Sequence, residues 1–308
     1  MTGTSRADRP LAILGPTASG KSSLALAIAE TIGDVELVSI DSMQVYDGMS
    51  VGTATPTVEE QARVPHHLIN VVPPDAEITV GEFQRRAGEV LADIRRRGEV
   101  PLLVGGTGLY LRSVIDDLEL PGQFPETRAA IEAEPDTEAL HARLAAADPM
   151  AASRMEPTNR RRIVRALEVC EGSGRPFSSF GPGMETYPST PFVQVALRWD
   201  RAALDERIAK RYEHQMAAGF LDEVTWLNEV GPSRTAAQAL GYRELLGHVR
   251  GETSLDEALD EAIRRTCRFA RRQERWFRRD PRITWIDGPA EPDAVIEIWD
   301  RVRRTPVS

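Results

Sequence analysis

Apolar residues recur along the chain in two alternating patterns. Short uninterrupted apolar runs predict buried strands at 11–14, 36–40, 68–72, 100–104 and 193–199. Longer stretches with helical spacing predict helices at 22–32, 81–97, 107–116, 201–217, 220–229, 235–247 and 255–279. A short strand at 283–286 and a helix at 292–303 complete the pattern. This alternation predicts an α/β fold with a mainly parallel sheet and helices on both faces.

The alternation stops between residues 118 and 190. This stretch is helical and rich in Ala, Glu and Arg up to residue 171, then loop-like as far as residue 191, with no strand pattern. We therefore predict an all-helical insertion at 118–190 within an α/β core that comprises residues 1–117 and 191–308.

A glycine-rich loop separates the first predicted strand from the first predicted helix. It reads Gly15-Pro16-Thr17-Ala18-Ser19-Gly20-Lys21-Ser22, a complete phosphate-binding P-loop. Strand, loop and helix together direct backbone N–H groups at one anion. Lys21 is one of only two lysines among 38 basic residues. A lysine at this position of an otherwise arginine-rich chain indicates that the loop uses a compact ammonium to bind a phosphate oxygen. The loop predicts a P-loop NTPase-like core that binds a di- or triphosphate, with Ser22 placed to hold Mg²⁺; by itself it favours a kinase or NTPase that binds ATP or GTP.

Two further loops follow predicted strands. Asp41 comes directly after the second strand, and loops at this edge of a doubly wound sheet line the ligand crevice. Its carboxylate is a candidate Mg²⁺ ligand, general base or helix cap. Gly105-Gly106-Thr107-Gly108 is either a tight turn or a place where a flat substrate approaches the backbone, with Thr107 donating a hydrogen bond.

Charge changes this picture in two places. The net charge of −9 argues against indiscriminate nucleic-acid binding. Eight arginines nevertheless lie within residues 264–279, with Glu274 as the acidic residue of that stretch, and residues 160–162 with Arg165 form a second cluster. Because a solvated helix face normally mixes signs, these clusters predict surfaces that face phosphate groups.

Cysteine usage and hydropathy predict the compartment. Cys170 and Cys267 are far apart, which predicts a reducing environment and excludes a zinc finger made from cysteines. His66 and His67 lack the partner spacing of a metal site. The chain has no apolar run of membrane-spanning length and no signal-peptide pattern, so we expect a cytoplasmic protein without a membrane partner.

In their order along the chain, these segments resemble the bacterial tRNA dimethylallyltransferases, also called tRNA isopentenyltransferases or the IPP transferase family. The resemblance covers nearly the whole chain. Its segments are residues 15–22, 41–46, 52–56, 65–68, 105–110, 159–168, 219–224, 239–244 and 270–278. The departures are small, since Ser22 stands where Thr is common and Arg275 stands where a small polar residue often precedes the tryptophan.

The resemblance implies transfer of a dimethylallyl group from dimethylallyl diphosphate to N6 of adenosine 37 in tRNA, giving N6-(dimethylallyl)adenosine. The P-loop would then hold a diphosphate leaving group, with Mg²⁺ on Ser22 and Arg211 stabilising the charge that develops. Asp41 would be the base for N6, and Thr17 would lie near the reacting centre. A monomer is expected.

The resemblance also implies contacts to the anticodon stem-loop. They are assigned to Asp41, Ser42, Met43, Gln44, Thr107, Arg128, Arg161, Arg162, Ile163, Val164, Arg165, Arg271 and Arg272. Three alternatives remain open. They are an adenylate isopentenyltransferase acting on free AMP, ADP or ATP, a small-molecule P-loop kinase, and a nucleotide-gated RNA-binding module without catalysis. The insertion and the basic helix argue against the first, because a free nucleotide needs neither.

Overall fold

The computed structural model describes residue 6, residues 8–181 and residues 183–303. The chain forms two compact units. One comprises Met1–Asp116 with Ser189–Ser308, and the other comprises Asp117–Pro188.

A six-stranded, fully parallel sheet forms the centre of the first unit. Its strands are β1 (Leu11–Leu14), β2 (Val35–Ile40), β3 (His66–His67), β4 (Val100–Gly105), β5 (Val193–Arg198) and β6 (Ile283–Asp287). Their order across the sheet is β3-β2-β4-β1-β5-β6. This confirms the predicted α/β class.

Helices connect the strands and build the second unit. The first unit contains α1 (Lys21–Ile32), α2 (Ser50–Thr53), α3 (Val58–Arg63), α4 (Val80–Arg96) and α5 (Gly108–Ile115). The second unit contains α6 (Pro125–Glu132), α7 (Thr137–Ala147), α8 (Pro149–Ser153) and α9 (Arg160–Ser173). The first unit then continues with α10 (Arg201–Ala217), α11 (Phe220–Val230), α12 (Tyr242–Val249), α13 (Leu255–Phe277) and α14 (Pro292–Arg303). No helix in the part of the chain that the structure describes is long and apolar enough to cross a membrane.

Both faces of the sheet are covered by helices. Ala12 and Leu14 of β1 point into one core, while Leu11 and Ile13 point into the other, because successive side chains of a strand alternate. One core packs against α1 and α14, and the other against α4, α5 and α10–α13. Burial on both faces explains why the strands read as uninterrupted apolar runs.

The second unit has its own core, in which Leu144 of α7 and Leu167 of α9 are fully buried. α9 is amphipathic, so its core-facing residues alternate at helical spacing with exposed arginines such as Arg161 and Arg162.

Two predicted elements are wrong. Residues 68–72 do not form the predicted strand: β3 lies just before them, at His66–His67, and Leu68 and Asn70 adopt positive φ angles of 61° and 51°, which interrupt an extended chain. The predicted helix at 235–247 is a 3₁₀ turn at Ala236–Gln238 followed by α12, because the backbone at Ala239 is extended, with ψ at 144°.

Three strands end side by side at one edge of the sheet. Leu14 of β1 and Ile40 of β2 both pair with Gly105 of β4. The P-loop, the segment from Asp41 and the segment through Thr107 therefore start next to one another, as expected for this class of sheet.

Candidate active site

The carboxyl edge of the sheet holds a cavity that joins segments distant in sequence. Its lining residues are Thr17, Lys21, Ser22, Asp41, Gln44, Thr53, Ala54, Val104, Gly105 and Arg211. The structure thus brings together the P-loop, the residue after β2 and an arginine of α10. Thr107 lies beside this group, since its Oγ1 accepts a hydrogen bond from the Ser42 N–H at 3.3 Å.

Two half-buried cations face the cavity. Burial lowers the pKa of Lys21 to about 8, although the negative charge of Asp41 opposes the shift. Burial also lowers the pKa of Arg211, which stays cationic because arginine starts so high. Arg211 donates to Thr17 Oγ1 at 3.0 Å and to the Gly52 carbonyl at 3.3 Å. The site therefore offers two closely placed positive charges to an anion.

Turns rather than a helix follow Asp41, so the helix-cap alternative is wrong. Its Oδ1 accepts the Met43 N–H at 2.9 Å, which fixes the turn after β2. No donor among the described residues bonds Oδ2, although the carboxylate interacts electrostatically with Lys21 and Arg211. One oxygen holds the local turn, and the other has no hydrogen-bond donor among the described residues.

The P-loop is held in place by side chains that the sequence did not single out. Trp199 Nε1 donates to the Ser19 carbonyl at 2.9 Å, and Arg207 Nε donates to the Ala18 carbonyl at 2.8 Å. The Arg207 guanidinium also lies over the Trp199 ring, 4.3 Å from its centroid. These bonds hold two carbonyl groups of the loop in place.

A buried glutamine joins the P-loop to the next strand-end loop. Gln273 of α13 accepts the Thr17 N–H at 2.9 Å and donates to the Gly106 carbonyl at 2.8 Å. Its only sequence signal is a polar residue among the core-facing positions of α13. It connects the arginine-rich helix to the anion site.

Gln44 is committed to internal contacts. It accepts from Ser39 Oγ at 2.7 Å and donates to the carbonyls of Thr53 and Ala54 at 3.4 and 3.1 Å. The side chain shapes the cavity wall, and its predicted contact to RNA would require these bonds to break.

Two of the predicted RNA contacts in the second unit fall on inward-facing side chains. The Ile163 and Val164 side chains are buried in that unit's core, so neither side chain presents a surface to RNA. Arg128 and Arg165 both pair with Glu168, with N···O distances of 3.4 and 2.8 Å. Arg161 and Arg162 are exposed, so they carry the accessible positive charge of α9.

The arginine cluster at 264–279 is more neutralised than its sequence indicates. Acidic residues from elsewhere in the fold approach it, so the expectation that Glu274 alone opposes it is wrong. Arg264 and Arg268 pair with Glu261, Arg265 with Glu244, Arg271 with Asp205, and Arg278 with Glu274. Within the described chain, Arg272, Arg275 and Arg279 have no carboxylate partner. Their spacing of three and four residues places the first two on one face of α13 and the third just past its end.

The described residues contain no group of three or more His, Cys, Asp or Glu side chains that could hold a metal ion. The P-loop contributes two hydroxyls to the cavity lining, those of Thr17 and Ser22, and Ser22 directly follows Lys21. This fits Mg²⁺, which commonly binds through one or two protein groups together with substrate phosphates and water.

The whole chain is similar to known proteins. The IPP transferase family model matches residues 44–280, and the isopentenyl transferase model matches residues 10–72. The chain is 47% identical over 293 residues to the tRNA dimethylallyltransferase of Streptomyces coelicolor, covering 94% of this chain and 93% of that protein. It is 49% identical over 280 residues to the tRNA dimethylallyltransferase of Salinispora tropica, covering 89% and 87%.

Solved structures show the same architecture. The tRNA isopentenylpyrophosphate transferase of Bacillus halodurans is 35% identical, with a TM-score of 0.69 over 96% of this chain and 95% of that one. A eukaryotic dimethylallyltransferase is 23% identical and shares the fold, with a TM-score of 0.81 over 97% of this chain and 80% of that one.

Proposed function

Since the chain belongs to the IPP transferase family, we propose that it transfers a dimethylallyl group from dimethylallyl diphosphate to N6 of adenosine 37 in tRNA. It is a prenyl transferase that modifies tRNA. The observation that carries the finer proposal is a single cavity lined by Lys21, Arg211 and Asp41. Cations for a leaving diphosphate and a base for an attacking amine stand there together.

The cations act on the leaving group. As the bond between C1 of the dimethylallyl group and the diphosphate oxygen breaks, negative charge collects on the diphosphate. Lys21, Arg211 and the first-turn N–H groups of α1 stabilise that charge, because they are positioned before the reaction begins. Mg²⁺, which we propose is held by the Ser22 hydroxyl, supplies further positive charge to the phosphates when bound.

Asp41 acts on the nucleophile. The N6 lone pair is delocalised into the adenine ring, so attack requires removal of an N6 proton as the N6–C1 bond forms. The free Oδ2 accepts that proton while Oδ1 keeps its bond to the Met43 N–H. The adenine must leave its stack to reach the cavity, as in other enzymes that modify a base.

We propose that phosphates of the anticodon arm are bound by Arg272, Arg275 and Arg279, and by Arg161 and Arg162 in the second unit. Support comes from their exposure and from their lack of carboxylate partners in the described chain. We also propose a cytoplasmic monomer, since the residues that the proposed reaction uses, Lys21, Asp41 and Arg211, all come from one chain. Light scattering of the purified protein tests the monomer.

One assay tests the function. Radiolabelled dimethylallyl diphosphate is supplied with unmodified tRNA or with AMP, and the acceptor is identified. Label on adenosine 37 supports the proposal. Label on AMP would identify an adenylate isopentenyltransferase, and release of phosphate from ATP alone would indicate a kinase or ATPase.

The unpaired arginines lead to a salt-dependence prediction. Changing Arg272 and Arg275 together to Gln should weaken tRNA binding and reduce its salt dependence by roughly 0.7–0.9 log units per lost phosphate contact. Binding is measured over a series of salt concentrations. The matched control is the Arg264→Gln, Arg268→Gln pair, whose arginines already pair with Glu261. Equal effects in both double variants would show that the phosphates lie elsewhere.

Gln273 leads to a second prediction. Gln273→Leu leaves the Thr17 N–H and the Gly106 carbonyl without their buried partner. The free energy of unfolding should fall by about 1–3 kcal/mol for each unsatisfied group, and inorganic diphosphate should bind more weakly. Denaturant titration and calorimetry measure the two effects. Gln238→Leu, at an exposed glutamine, is the control, and identical behaviour of the two variants would remove Gln273 from the anion site.

A further inference from the structure

One wall of the cavity is a short segment, residues 48–55, which we call the cavity loop. It contributes Thr53 and Ala54 to the lining. Three successive backbone N–H groups of this loop donate to a single carboxylate, that of Glu223 on α11. The N–H groups of Ser50 and Val51 bond Oε2 at 2.8 Å each, and that of Gly52 bonds Oε1 at 3.0 Å.

The carbonyl groups of the same residues are also held by side chains. Gln215 Nε2 donates to the carbonyls of Val51 and Gly52, both at 2.8 Å. Arg211 Nη2 donates to the Gly52 carbonyl at 3.3 Å, while its Nη1 bonds Thr17 Oγ1 at 3.0 Å. The Gly52 carbonyl therefore holds one of the two terminal nitrogens of the Arg211 guanidinium, the group that we propose binds the diphosphate.

Glycine permits the cavity loop to approach α11 this closely. A Cβ atom on Gly52 would lie 2.2 Å from the Phe220 ring and 2.5 Å from the Tyr242 ring. A Cβ atom on Gly48 would lie 2.3 Å from the Trp226 ring. Real Cβ atoms do not approach other atoms so closely, so a side chain at either position would push the loop off the helix.

Tyr242 completes the arrangement around the carboxylate. Its hydroxyl donates to Glu223 Oε1 at 2.5 Å, and its ring packs edge-on against Phe220 with centroids 4.9 Å apart. Burial, and next the charge of Glu223, raise the pKa of Tyr242, so the hydroxyl keeps the proton it donates. Four donors thus converge on Glu223, and charge-assisted bonds of this kind are the strong ones.

We propose that Glu223 is a positioning residue that orients Arg211 through the backbone of the cavity loop. The carboxylate holds the N–H groups of residues 50–52, the Gly52 carbonyl holds Arg211, and Arg211 meets the charge on the departing diphosphate. The last step rests on the proposed function. It also gives a role to the segments 219–224 and 239–244, which supply Glu223, Phe220 and Tyr242 but do not line the cavity.

The key variant is Glu223→Gln, which keeps the side-chain size but turns one acceptor oxygen into a donor. In this variant we expect the Arg211 guanidinium to be misplaced by about an ångström, which should slow transfer by roughly 10²-fold at saturating substrates. The rate falls because the misplaced guanidinium stabilises the transition state less well. We expect kcat to fall far more than the KM for dimethylallyl diphosphate rises. Glu229→Gln, the same change on the exposed face of α11, is the matched control and should behave as the parent protein.

A double-mutant cycle with Arg211→Ala tests the route. If Glu223 acts through Arg211, Glu223→Gln costs little further rate once the arginine is gone. Equal losses with and without Arg211 would overturn the proposal. Should Glu223→Gln fail to fold, Tyr242→Phe removes one of the four bonds and enters the same cycle, with a smaller loss expected.

Amide hydrogen exchange of residues 50–52 gives a readout that needs no catalysis. Exchange at these amides should accelerate in Glu223→Gln and not in Glu229→Gln. Unchanged exchange in Glu223→Gln would also overturn the proposal. If the parent protein prenylated AMP rather than tRNA, the proposed acceptor would fail, while the exchange result would still decide whether Glu223 holds the cavity loop and the double-mutant cycle could be run with AMP.

Discussion

Asp41→Asn is expected to slow the chemical step by ~10²–10⁴-fold while tRNA affinity changes little. Asparagine keeps an oxygen that can accept the Met43 N–H, so the turn after β2 survives. What is lost is the acceptor for the N6 proton. Single-turnover rates at saturating substrates measure the chemical step, and tRNA affinity is measured separately.

Two further variants separate the roles of this carboxylate. Asp41→Ala removes the turn contact as well as the base, so any loss beyond that of Asp41→Asn reports on the turn. Asp47→Asn, at an exposed aspartate a few residues later, controls for the change in charge near the loop. A single-turnover rate for Asp41→Asn close to that of the control would mean that another group, or water, takes the proton.

The elements that sequence predicted well are those whose signal is local. The strand, the P-loop and the helix that follows it lie within 22 contiguous residues, Leu11–Ile32. The hydrophobic pattern and the glycine-rich motif therefore suffice to place the loop at the end of a strand. Because parallel strands end at a common edge, Asp41 and Thr107 could be placed near it without knowledge of their contacts.

The contacts that sequence missed join residues far apart in the chain. Gln273 reaches Thr17 across 256 positions, and Glu223 reaches Ser50 across 173. No local periodicity records such a pairing. A buried polar residue in an apolar helix face signals only that some partner exists.

Two other differences between the sequence pattern and the structure have a different origin. Ile163 and Val164 lie between arginines in a segment that the resemblance links to RNA, yet helical geometry turns those two positions inward. A contiguous run of residues on a helix does not form one surface, because neighbouring residues face different directions. The partners of the α13 arginines are likewise invisible in the sequence of that helix, because Glu244 and Asp205 belong to other helices.

The second large effect concerns Lys21. Lys21→Met keeps the aliphatic stem and removes the ammonium, so the rate at saturating dimethylallyl diphosphate should fall by roughly 10²–10³-fold, as for loss of one group that stabilises charge in a transition state. The chain offers a matched control in its other lysine. Lys210 is exposed and pairs with Glu206, so Lys210→Met should leave the rate unchanged. A defect in Lys21→Met that more substrate fully rescues would show that the lysine binds ground state and transition state equally.

The same lysine predicts a pH dependence of diphosphate affinity. Burial lowers the pKa of Lys21 to about 8 in the free protein, and a bound diphosphate raises it again because its negative charge favours the ammonium. Below pH 8 the amine is charged with or without ligand, so this group adds no pH dependence. Above pH 8 the free protein loses the proton that the complex keeps, so affinity falls by up to about tenfold per pH unit. Calorimetry with dimethylallyl diphosphate in the absence of tRNA, from about pH 7 to about pH 9.5, should show this fall in the parent protein and in Lys210→Met, and a flat profile in Lys21→Met. A fall that persists in Lys21→Met would assign the titration to another group. A flat profile in all three proteins would mean that the Lys21 ammonium stays charged over this whole pH range, which would contradict its lowered pKa.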